Sequence, residues 1–264
     1  MEIIRSKDNG KIKYIRSLNS KKSRENDSAF VVEGIKFVGE SINENADIKF
    51  ALISESSSIK NEVSDLIQIL KEKEIEFFLC EDNIFNSAAE TINAQGVLSV
   101  VYKAFYDKLK VLNDYKFIVM CDRIQDPGNL GTIIRTADAF GPAAVIMNKG
   151  CVDVYNPKVV RATAGAMFRV PFIIGETSEE IIDIVKTAGF KIISTVVSSE
   201  YSFEDINESE KICVVIGNEG QGISREITEA SDMNITIKMN GRAESLNASI
   251  AAGICIYEIR KKLL

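Results

Sequence analysis

Residues 237–253 read Ile-Lys-Met-Asn-Gly-Arg-Ala-Glu-Ser-Leu-Asn-Ala-Ser-Ile-Ala-Ala-Gly, and this stretch is the most informative part of the chain. Its pattern predicts a short strand, a polar loop and then a helix of small residues. Four polar residues gather in the loop: Asn240, Glu244, Ser245 and Asn247. Ser and Asn are favoured where a helix begins, because free backbone N–H groups there need acceptors. Such a loop can hold a polar ligand and bring an amide and a hydroxyl close to a reacting atom.

The helix after this loop also has a simpler explanation. Four apolar residues recur on one side of it and predict a stripe that faces the core: Leu246, Ile250, Ile254 and Tyr257. A capped amphipathic helix at the end of the chain needs nothing more. That explanation leaves the density of polar residues before the helix unaccounted for.

An earlier segment, residues 121–141, has the same order of strand, loop and helix. A buried strand ends in a Pro-Gly turn, and the helix that follows carries Arg135 and closes at Gly141. Asn129 stands near the start of this helix. Dinucleotide-binding folds begin in a similar way, but their G-x-G-x-x-G fingerprint is missing, which disfavours a nicotinamide-dependent oxidoreductase. The structural alternative is a capped surface helix with a solvated arginine.

A third segment, residues 214–224, is a buried strand followed by a glycine-rich loop. Gly217, Gly220 and Gly222 allow the backbone to turn sharply and approach a ligand closely. Glu219 lies among them at the carboxyl end of the strand, the edge at which open α/β sheets bind ligands. The alternative is an ordinary turn with an exposed glutamate.

Strand-like apolar runs alternate with helical stretches along the rest of the chain. In the first part, strands are predicted at 29–33, 50–54, 77–80 and 97–102, with helices at 35–43 and 58–73. In the second part, strands are predicted at 117–121, 143–147, 172–174, 191–196, 212–216 and 235–239. Fully apolar strands separated by helices are typical of a parallel sheet covered on both faces. We therefore expect a small α/β domain at 1–105 and a larger parallel-sheet α/β domain at 106–264, with 103–116 as the connection.

The composition removes several classes of chemistry. The chain has no histidine, which excludes Ser–His and Cys–His nucleophile pairs, histidine-ligated zinc and a histidine base. Its five cysteines are scattered without a C-x-x-C pair, as in proteins of the reducing cytoplasm, and no cluster has metal-ligand spacing. The first ten residues lack the apolar core of a secretory signal, and no stretch approaches the ~20 apolar residues of a membrane span. The sequence predicts a soluble cytoplasmic protein without a metal.

The charge is unevenly distributed. The formal net charge is −6, yet residues 5–24 hold eight Lys or Arg against the single acid Asp8. A basic segment on an acidic body can contact RNA phosphates. The alternative is a solvated, partly disordered arm.

Together, the three segments resemble the SpoU (TrmH) branch of the SPOUT RNA methyltransferases. The family pattern is Asn-x-Gly-x-x-x-Arg, then Gly-x-Glu-Gly-x-Gly, then Glu-Ser-Leu-Asn-x-Ser. The chain matches it in the same order at Asn129, Gly131 and Arg135; Gly217, Glu219, Gly220 and Gly222; and Glu244, Ser245, Leu246, Asn247 and Ser249. Residues 30–38 are also similar to the family's substrate-binding domain, which has a ribosomal-protein-like α/β fold. Lys238 is a departure, since such proteins often have proline there.

The resemblance implies a catalytic domain with a trefoil knot, whose loops bind S-adenosylmethionine, and a homodimer that completes the active site. The implied reaction is methyl transfer to a ribose 2′-hydroxyl of RNA. Catalytic roles are implied for Asn129, Arg135, Glu219, Ser245 and Asn247. Cofactor binding is implied for Thr195, Gly217, Ile237, Met239 and Leu246.

The resemblance places Arg135 at the reacting hydroxyl. A guanidinium holds its proton too firmly to be a good base, so we expect Arg135 to orient the target phosphate and stabilise the developing alkoxide. The separate N-terminal domain favours 23S rRNA as the substrate, because tRNA-specific relatives often have only short extensions. A tRNA 2′-O-methyltransferase and a non-catalytic RNA-binding relative are the alternatives.

Overall fold

The computed structural model describes residues 3–141, 143–207, 211–242 and 245–263. By internal contacts the chain divides into two compact units: Met1–Phe105 with Tyr155–Phe168, and Tyr106–Val154 with Arg169–Leu264. The expected bounds, 1–105 and 106–264, assign Tyr155–Phe168 to the second domain, whereas these residues pack in the first unit. The division into domains at 1–105 and 106–264 remains a prediction.

The first unit is a mixed five-stranded sheet with helices on its faces. Its elements up to residue 105 are β1 (Ile3–Ile4), α1 (Gly10–Ser17), α2 (Lys21–Asn26), β2 (Ala29–Glu33), α3 (Ile35–Asn43), β3 (Ile48–Ser54), α4 (Glu55–Ser58), α5 (Asn61–Glu72), β4 (Phe77–Cys80), α6 (Asp82–Ala88) and β5 (Val97–Tyr102). The strand order is β1-β4-β3-β5-β2, in which β4 is parallel to both neighbours and β5 is antiparallel to both of its own. The strands predicted at 29–33, 77–80 and 97–102 and the helix at 35–43 are confirmed. The helix predicted at 58–73 begins later, at Asn61.

The basic N-terminal segment is folded, so the disordered-arm alternative is wrong. Helix α1 begins at a cap in which the Asn9 side chain accepts a hydrogen bond from the backbone N–H of Lys11. Its residues Ile12 and Ile15 are fully buried against the sheet. Arg24 is buried as well, and its Nη1 donates to a backbone carbonyl near the end of α1. Apolar residues at helical spacing within the basic run are the physical reason for this order.

Residues Tyr155–Phe168 belong to the first unit, although they lie far along the chain. They form a short helix, α9 (Pro157–Ala162), and a 3₁₀ turn, Ala166–Phe168. The Phe30 ring on β2 lies 4.9 Å from the Tyr155 ring and 6.4 Å from the Phe168 ring, measured between centroids. This segment therefore covers apolar surface of a sheet whose strands precede it in sequence.

The second unit is a six-stranded, fully parallel sheet. Its elements are α7 (Lys108–Asp114), β6 (Phe117–Cys121), α8 (Pro127–Ala139), β7 (Ala144–Asn148), β8 (Phe172–Glu176), α10 (Ser178–Thr187), β9 (Phe190–Thr195), β10 (Lys211–Ile216), α11 (Arg225–Ala230), β11 (Met233–Ile235) and α12 (Ala248–Leu263). The strand order is β11-β9-β10-β6-β7-β8. Five of the strands lie within two residues of the predicted bounds, and the expected parallel α/β sheet is confirmed. The expected connection at 103–116 contains helix α7.

Both faces of this sheet are covered, which explains why the inner strand β6 (Phe117–Cys121) is apolar at every residue. Side chains of α7, α10 and α11 pack with one face in a continuous apolar cluster. Helices α8 and α12 pack against each other, with α8 also contacting β7 and α12 contacting β10. No helix in the part of the chain that the structure describes is long and apolar enough to span a membrane.

Two predictions at the end of the chain are wrong. The last strand is Met233–Ile235 rather than 235–239, because its partner β9 ends at Thr195 and leaves later residues without a strand to pair with. The stripe predicted to face the core on α12 lies instead toward solvent, with Ile250 and Tyr257 exposed. The buried side of α12 is formed by smaller and later residues: Ala248, Ala252, Cys255, Ile256 and Ile259.

Candidate functional site

A cavity of the second unit opens where three neighbouring parallel strands end. Its volume is about 420 Å³, within the range of small-molecule sites. It lies beyond the carboxyl ends of β9, β10 and β11, the edge at which parallel sheets bind ligands. It is lined by the segments 195–197 and 216–222, by Thr236, Ile237 and Met239, and by Ser245, Leu246, Ala248 and Ala251.

Seven of the ten predicted site residues line this cavity. They are Thr195, Gly217, Glu219, Ile237, Met239, Ser245 and Leu246. The other three, Asn129, Arg135 and Asn247, are not part of the lining. The structure therefore brings residues from the ends of three strands and the start of α12 to one cavity, although they are up to 51 positions apart in the sequence.

The glycine loop needs glycine for a steric reason. A Cβ added at Gly217 would lie 2.4 Å from both the Gly222 carbonyl carbon and the Ile223 nitrogen, closer than real atoms approach. The loop folds back on itself there, with Asn218 and Gly222 exchanging two backbone hydrogen bonds of 3.0 Å. The Asn218 side chain also accepts from the backbone N–H groups of Gly220 and Gln221. The backbone of this loop is thus fixed at the wall of the cavity.

Glu219 joins the glycine loop to the start of α8. Its carboxylate accepts a hydrogen bond of 2.9 Å from Asn129 Nδ2. It also accepts from the backbone N–H groups of Asp126 at 3.2 Å and Gln125 at 3.4 Å. Asn129 lies in the first turn of α8 and is only 6% exposed, so its amide is held toward Glu219. The first and second family motifs therefore meet through this pair.

These contacts set the protonation of Glu219. Partial burial works to raise the pKa of its carboxyl, but the hydrogen bonds from Asn129, Asp126 and Gln125 outweigh burial and lower the pKa below its usual value. Glu219 is consequently a carboxylate at neutral pH, with its oxygens occupied by N–H donors. This arrangement suits a residue that orients others better than one that accepts a proton.

Asn247 acts locally as the cap of α12. Its Oδ1 accepts from the backbone N–H of Ser249 at 2.9 Å and from the Ser249 hydroxyl at 2.7 Å. The neighbouring residues Ser245 and Leu246 reach the cavity. Glu244, the first residue of the third motif, lies outside the described residues.

Arg135 lies in the middle of α8, on an exposed part of the helix. The structure records no hydrogen bond or ion pair between its guanidinium and the residues that it describes. It is therefore free to contact a ligand, although it does not line the cavity.

A polar cluster that the sequence motifs did not predict lies at the carboxyl ends of β6 and β7. Asp122 follows β6 directly and is fully buried, and Asn148 ends β7. Asn148 Nδ2 donates to Asp122 Oδ1 at 2.6 Å. The position of an acid immediately after a buried strand was the available signal. Its neighbour Arg123, which has a positive φ of 55°, carried no such signal.

The cysteines are free thiols, and four of the five are buried. Cys151 lies beside the Asp122 cluster, where its Sγ donates to the Cys121 carbonyl at 3.2 Å. Burial raises the pKa of the Cys151 thiol to about 11 and that of Cys213 to about 12. Thiols in this state are poor nucleophiles at neutral pH.

Models of two known protein families match most of the chain. Residues 116–257 match the model of the SpoU rRNA Methylase family, and residues 9–99 match that of the MRM3-like substrate binding domain. The first match alone covers more than half of the chain. This chain belongs to the SpoU rRNA methylase family. The resemblance seen in the three sequence motifs is confirmed.

Individual members of the SpoU family align over nearly the whole chain. The Bacillus subtilis protein "23S rRNA (guanosine(2553)-2'-O)-methyltransferase RlmP" is 31% identical over 260 residues, covering 98% of this chain and 100% of that protein. The crystal structure of an AdoMet-bound rRNA methyltransferase from Sinorhizobium meliloti has a TM-score of 0.87 at 28% identity, covering 100% of this chain and 98% of that one. The methyltransferase AviRb from Streptomyces viridochromogenes shares the fold, with a TM-score of 0.85 at 24% identity over 97% and 98% of the two chains. The trefoil knot expected for a SpoU protein remains a prediction.

The cavity beyond the ends of β9, β10 and β11 has the chemistry to hold S-adenosylmethionine. Apolar side chains of Ile216, Ile237 and Leu246 offer surface for a flat base, and loop backbone and hydroxyl groups offer hydrogen bonds for polar parts. The steric need for glycine at position 217 shows that backbone, rather than a side chain, forms one wall. These residues fit the cofactor. Among the residues that the structure describes, no group of His, Cys, Asp or Glu is arranged to hold a metal ion.

Proposed function

We propose that this chain transfers the methyl group of S-adenosylmethionine to a ribose 2′-hydroxyl of 23S ribosomal RNA in the cytoplasm. The observation that carries the proposal is the cavity in which the second and third SpoU motifs meet, tied to the first motif through Glu219 and Asn129. The name of the Bacillus relative states this reaction on 23S rRNA, and the Sinorhizobium rRNA methyltransferase binds AdoMet.

The chain's own residues have to align the reacting groups and help the hydroxyl lose its proton. When bound, S-adenosylmethionine supplies an already activated methyl group. Glu219 holds Asn129 in place rather than accepting the proton, since its oxygens are engaged and its pKa is low. Arg135 is the exposed cation that orients the target phosphate and stabilises the developing alkoxide.

A second copy of the chain completes the site in this proposal. Arg135 does not line the cavity, which supports a site built from more than one chain. Three large apolar side chains are exposed at the end of α8 and along the first ten residues of α12: Phe140 at 40%, Ile250 at 55% and Tyr257 at 49%. The Phe140 and Tyr257 rings lie 5.5 Å apart, so these residues form one patch, with Ile250 two helical turns before Tyr257. We call it the dimer face, because exposed apolar patches mark contact sites.

The proposal is tested by methylating RNA from cells that lack the gene. Purified protein and S-adenosylmethionine carrying a labelled methyl group are incubated separately with 23S rRNA and with bulk tRNA. A 2′-O-methyl group blocks alkaline cleavage at the next phosphodiester bond, so hydrolysis ladders locate the methylated nucleotide. We expect label in 23S rRNA and one new alkali-resistant position.

Each alternative gives a different result. Label in tRNA alone would identify the chain as a tRNA 2′-O-methyltransferase. RNA binding without label in either RNA would identify a non-catalytic relative.

A further inference from the structure

We propose that Asp122 and Arg123 are positioning residues, which hold the glycine loop in the shape that binds the cofactor. The inference rests on the proposed function, because it concerns the same cavity. It assigns a role to two side chains outside the three family motifs.

Asp122 ties together three elements at the carboxyl edge of the sheet. Besides the bond from Asn148, it accepts from the backbone N–H of Ser224 at 2.6 Å, and Ser224 immediately precedes α11. Arg123 Nε donates to the same carboxylate at 3.1 Å. A fully buried carboxylate is strongly unfavourable unless it is paired and hydrogen-bonded, and these donors meet that need. The ends of β6, β7 and the loop after β10 are consequently fixed to one another.

The backbone of Arg123 is fixed in an unusual conformation by the same cluster. Its N–H donates to Asn148 Oδ1 at 2.8 Å, and its carbonyl accepts from Asn218 Nδ2 at 2.8 Å. A positive φ is uncommon for a residue with a side chain, and these two bonds hold it. The Arg123 side chain packs against Gly150. A Cβ added at Gly150 would lie 3.0 Å from Arg123 Cγ, so the absence of a side chain there leaves room for the arginine.

The guanidinium of Arg123 reaches from the buried carboxylate to the wall of the cavity. Its Nη1 donates to Gln221 Oε1 at 3.0 Å, and its Nη2 to the Gly222 carbonyl at 3.4 Å. Both acceptors belong to the loop that lines the cavity. A loop with three glycines has high conformational entropy, so a tie to the rigid strand ends reduces the entropy lost when a ligand binds.

Only arginine has the shape for this role. Its planar fork presents donors in fixed directions and can contact Asp122 and the loop at the same time, whereas a lysine ammonium acts as a single point of charge. All three of its nitrogens already have protein acceptors in the structure, which favours positioning over direct contact with substrate.

The test is calorimetry with S-adenosylmethionine on the full-length Arg123→Lys variant. The lysine keeps a positive charge beside Asp122 but loses the reach to Gln221 and Gly222. We expect the dissociation constant to rise about tenfold, the size expected for loss of hydrogen bonds from a charged donor. The methylation rate at saturating cofactor should stay within a few-fold of wild type. Arg225→Lys is the matched control, because Arg225 lies in an exposed ion pair with Glu229 outside the cavity.

A second readout separates positioning from general destabilisation. Hydrogen exchange at the backbone N–H groups of Gly220 and Gln221 should accelerate in Arg123→Lys, while exchange in strand β6 stays as in wild type. In a Gln221→Leu background, Arg123→Lys should have a much smaller effect on affinity, because residues in one network are not additive.

Three outcomes would overturn the positioning role. They are an unchanged dissociation constant in Arg123→Lys, additive effects with Gln221→Leu, and faster exchange throughout the sheet in place of the loop. If wild type and Arg225→Lys themselves bind no S-adenosylmethionine, the proposed function fails and the positioning role fails with it. Wild-type binding together with any of the first three results overturns the positioning role alone.

Discussion

At the scale of single residues, the site is decided by which polar groups satisfy one another. Glu219 could be taken for a base from its place in a glycine loop. Its three N–H partners instead make it an acceptor that fixes Asn129 and the loop before α8. The same logic makes Arg135 the group with free donors, because no described residue accepts from it.

The first prediction concerns Glu219→Gln. The folded pKa of Glu219 is lowered, so its contribution to stability is present above the unfolded pKa and is lost as pH falls through the folded pKa. At pH 7 the free energy of unfolding of the variant should be lower by roughly 0.5 kcal/mol, because a Gln amide turns an N–H₂ group toward N–H donors and solvent at this exposed residue reduces the difference. The difference from wild type should shrink as the pH falls below about 4. Urea unfolding between pH 7 and pH 3.5 measures it, with the exposed Glu226→Gln as the control. A difference in the free energy of unfolding between the variant and wild type that does not depend on pH would contradict this role of Glu219.

The second prediction concerns Arg135. Arg135→Ala should abolish methyl transfer and leave the affinity for S-adenosylmethionine within a few-fold, because Arg135 is absent from the cavity lining. Arg135→Lys should also be poor, since a point charge does not reproduce a planar fork. Single-turnover methylation and calorimetry measure the two effects, and Arg225→Ala is the control. Near-normal turnover in either Arg135 variant would show that the role is misassigned.

At the scale of elements, helix α12 shows that a periodic apolar pattern can predict the wrong buried face of a helix. The larger apolar residues of its predicted stripe point to solvent, and small residues such as Ala252 pack inside. Small residues let α12 approach α8 and the sheet closely. The larger ones are then available for a partner.

The third prediction tests that partner. Ile250→Glu should convert a dimer to a monomer, because it puts a charge in the apolar dimer face. Light scattering coupled to size-exclusion chromatography measures the mass in solution. Glu226→Gln, a change at an exposed position of α11 outside that face, is the control. A wild-type protein that is monomeric at every concentration would refute the proposed homodimer.

The fourth prediction concerns the basic helices α1 and α2. Lys13 and Lys21 each lie in an exposed ion pair, with Asp8 and Glu25 respectively, and Lys22 is exposed as well. Exposed pairs contribute little, so these cations remain available to RNA phosphates. Replacing all three with Gln should weaken RNA binding and reduce the log–log salt slope by about 0.7–0.9 for each lost contact.

Lys11 is left unchanged in this variant, because its Nζ lies 3.8 Å from the centre of the Phe78 ring and supports packing. Lys60→Gln with Lys71→Gln on or beside α5 provides the control. Parallel salt slopes for the triple variant and wild type would mean that RNA is held elsewhere.

At the scale of the whole molecule, the first unit is built from two separated pieces of chain. The Phe30 and Tyr155 rings pack within it although 125 positions separate them. The stability of the N-terminal unit therefore depends on a segment that the SpoU family model includes in its own match.

The fifth prediction follows from this arrangement. Tyr155→Ala should lower the stability of the first unit by about 3–5 kcal/mol, the range for removing a large buried ring. Tyr155→Phe keeps the ring and should cost much less. Hydrogen exchange should then be faster in β2 of the first unit, with β10 of the second unit remaining protected. Loss of protection in β10 alone would contradict the division.

The sequence by itself determined the fold class and most strand positions. Strands such as 117–121 are apolar on every residue because both faces of the parallel sheet are covered, and that pattern is local and readable. Motif spacing identified the SpoU family. The glycines at 217, 220 and 222 predicted a close approach of the backbone to a ligand, and at position 217 only glycine fits the loop that closes on itself.

Tertiary structure alone decided which of these residues meet. Periodicity shows that α12 has two sides, but the packing of α8 and the sheet selects which side is buried. The positive φ of Arg123 and its reach from Asp122 to Gln221 depend on three strand ends converging, which no local pattern encodes. The return of Tyr155–Phe168 to the first unit is likewise a long-range contact, chosen by the apolar surface that Phe30 leaves to be covered.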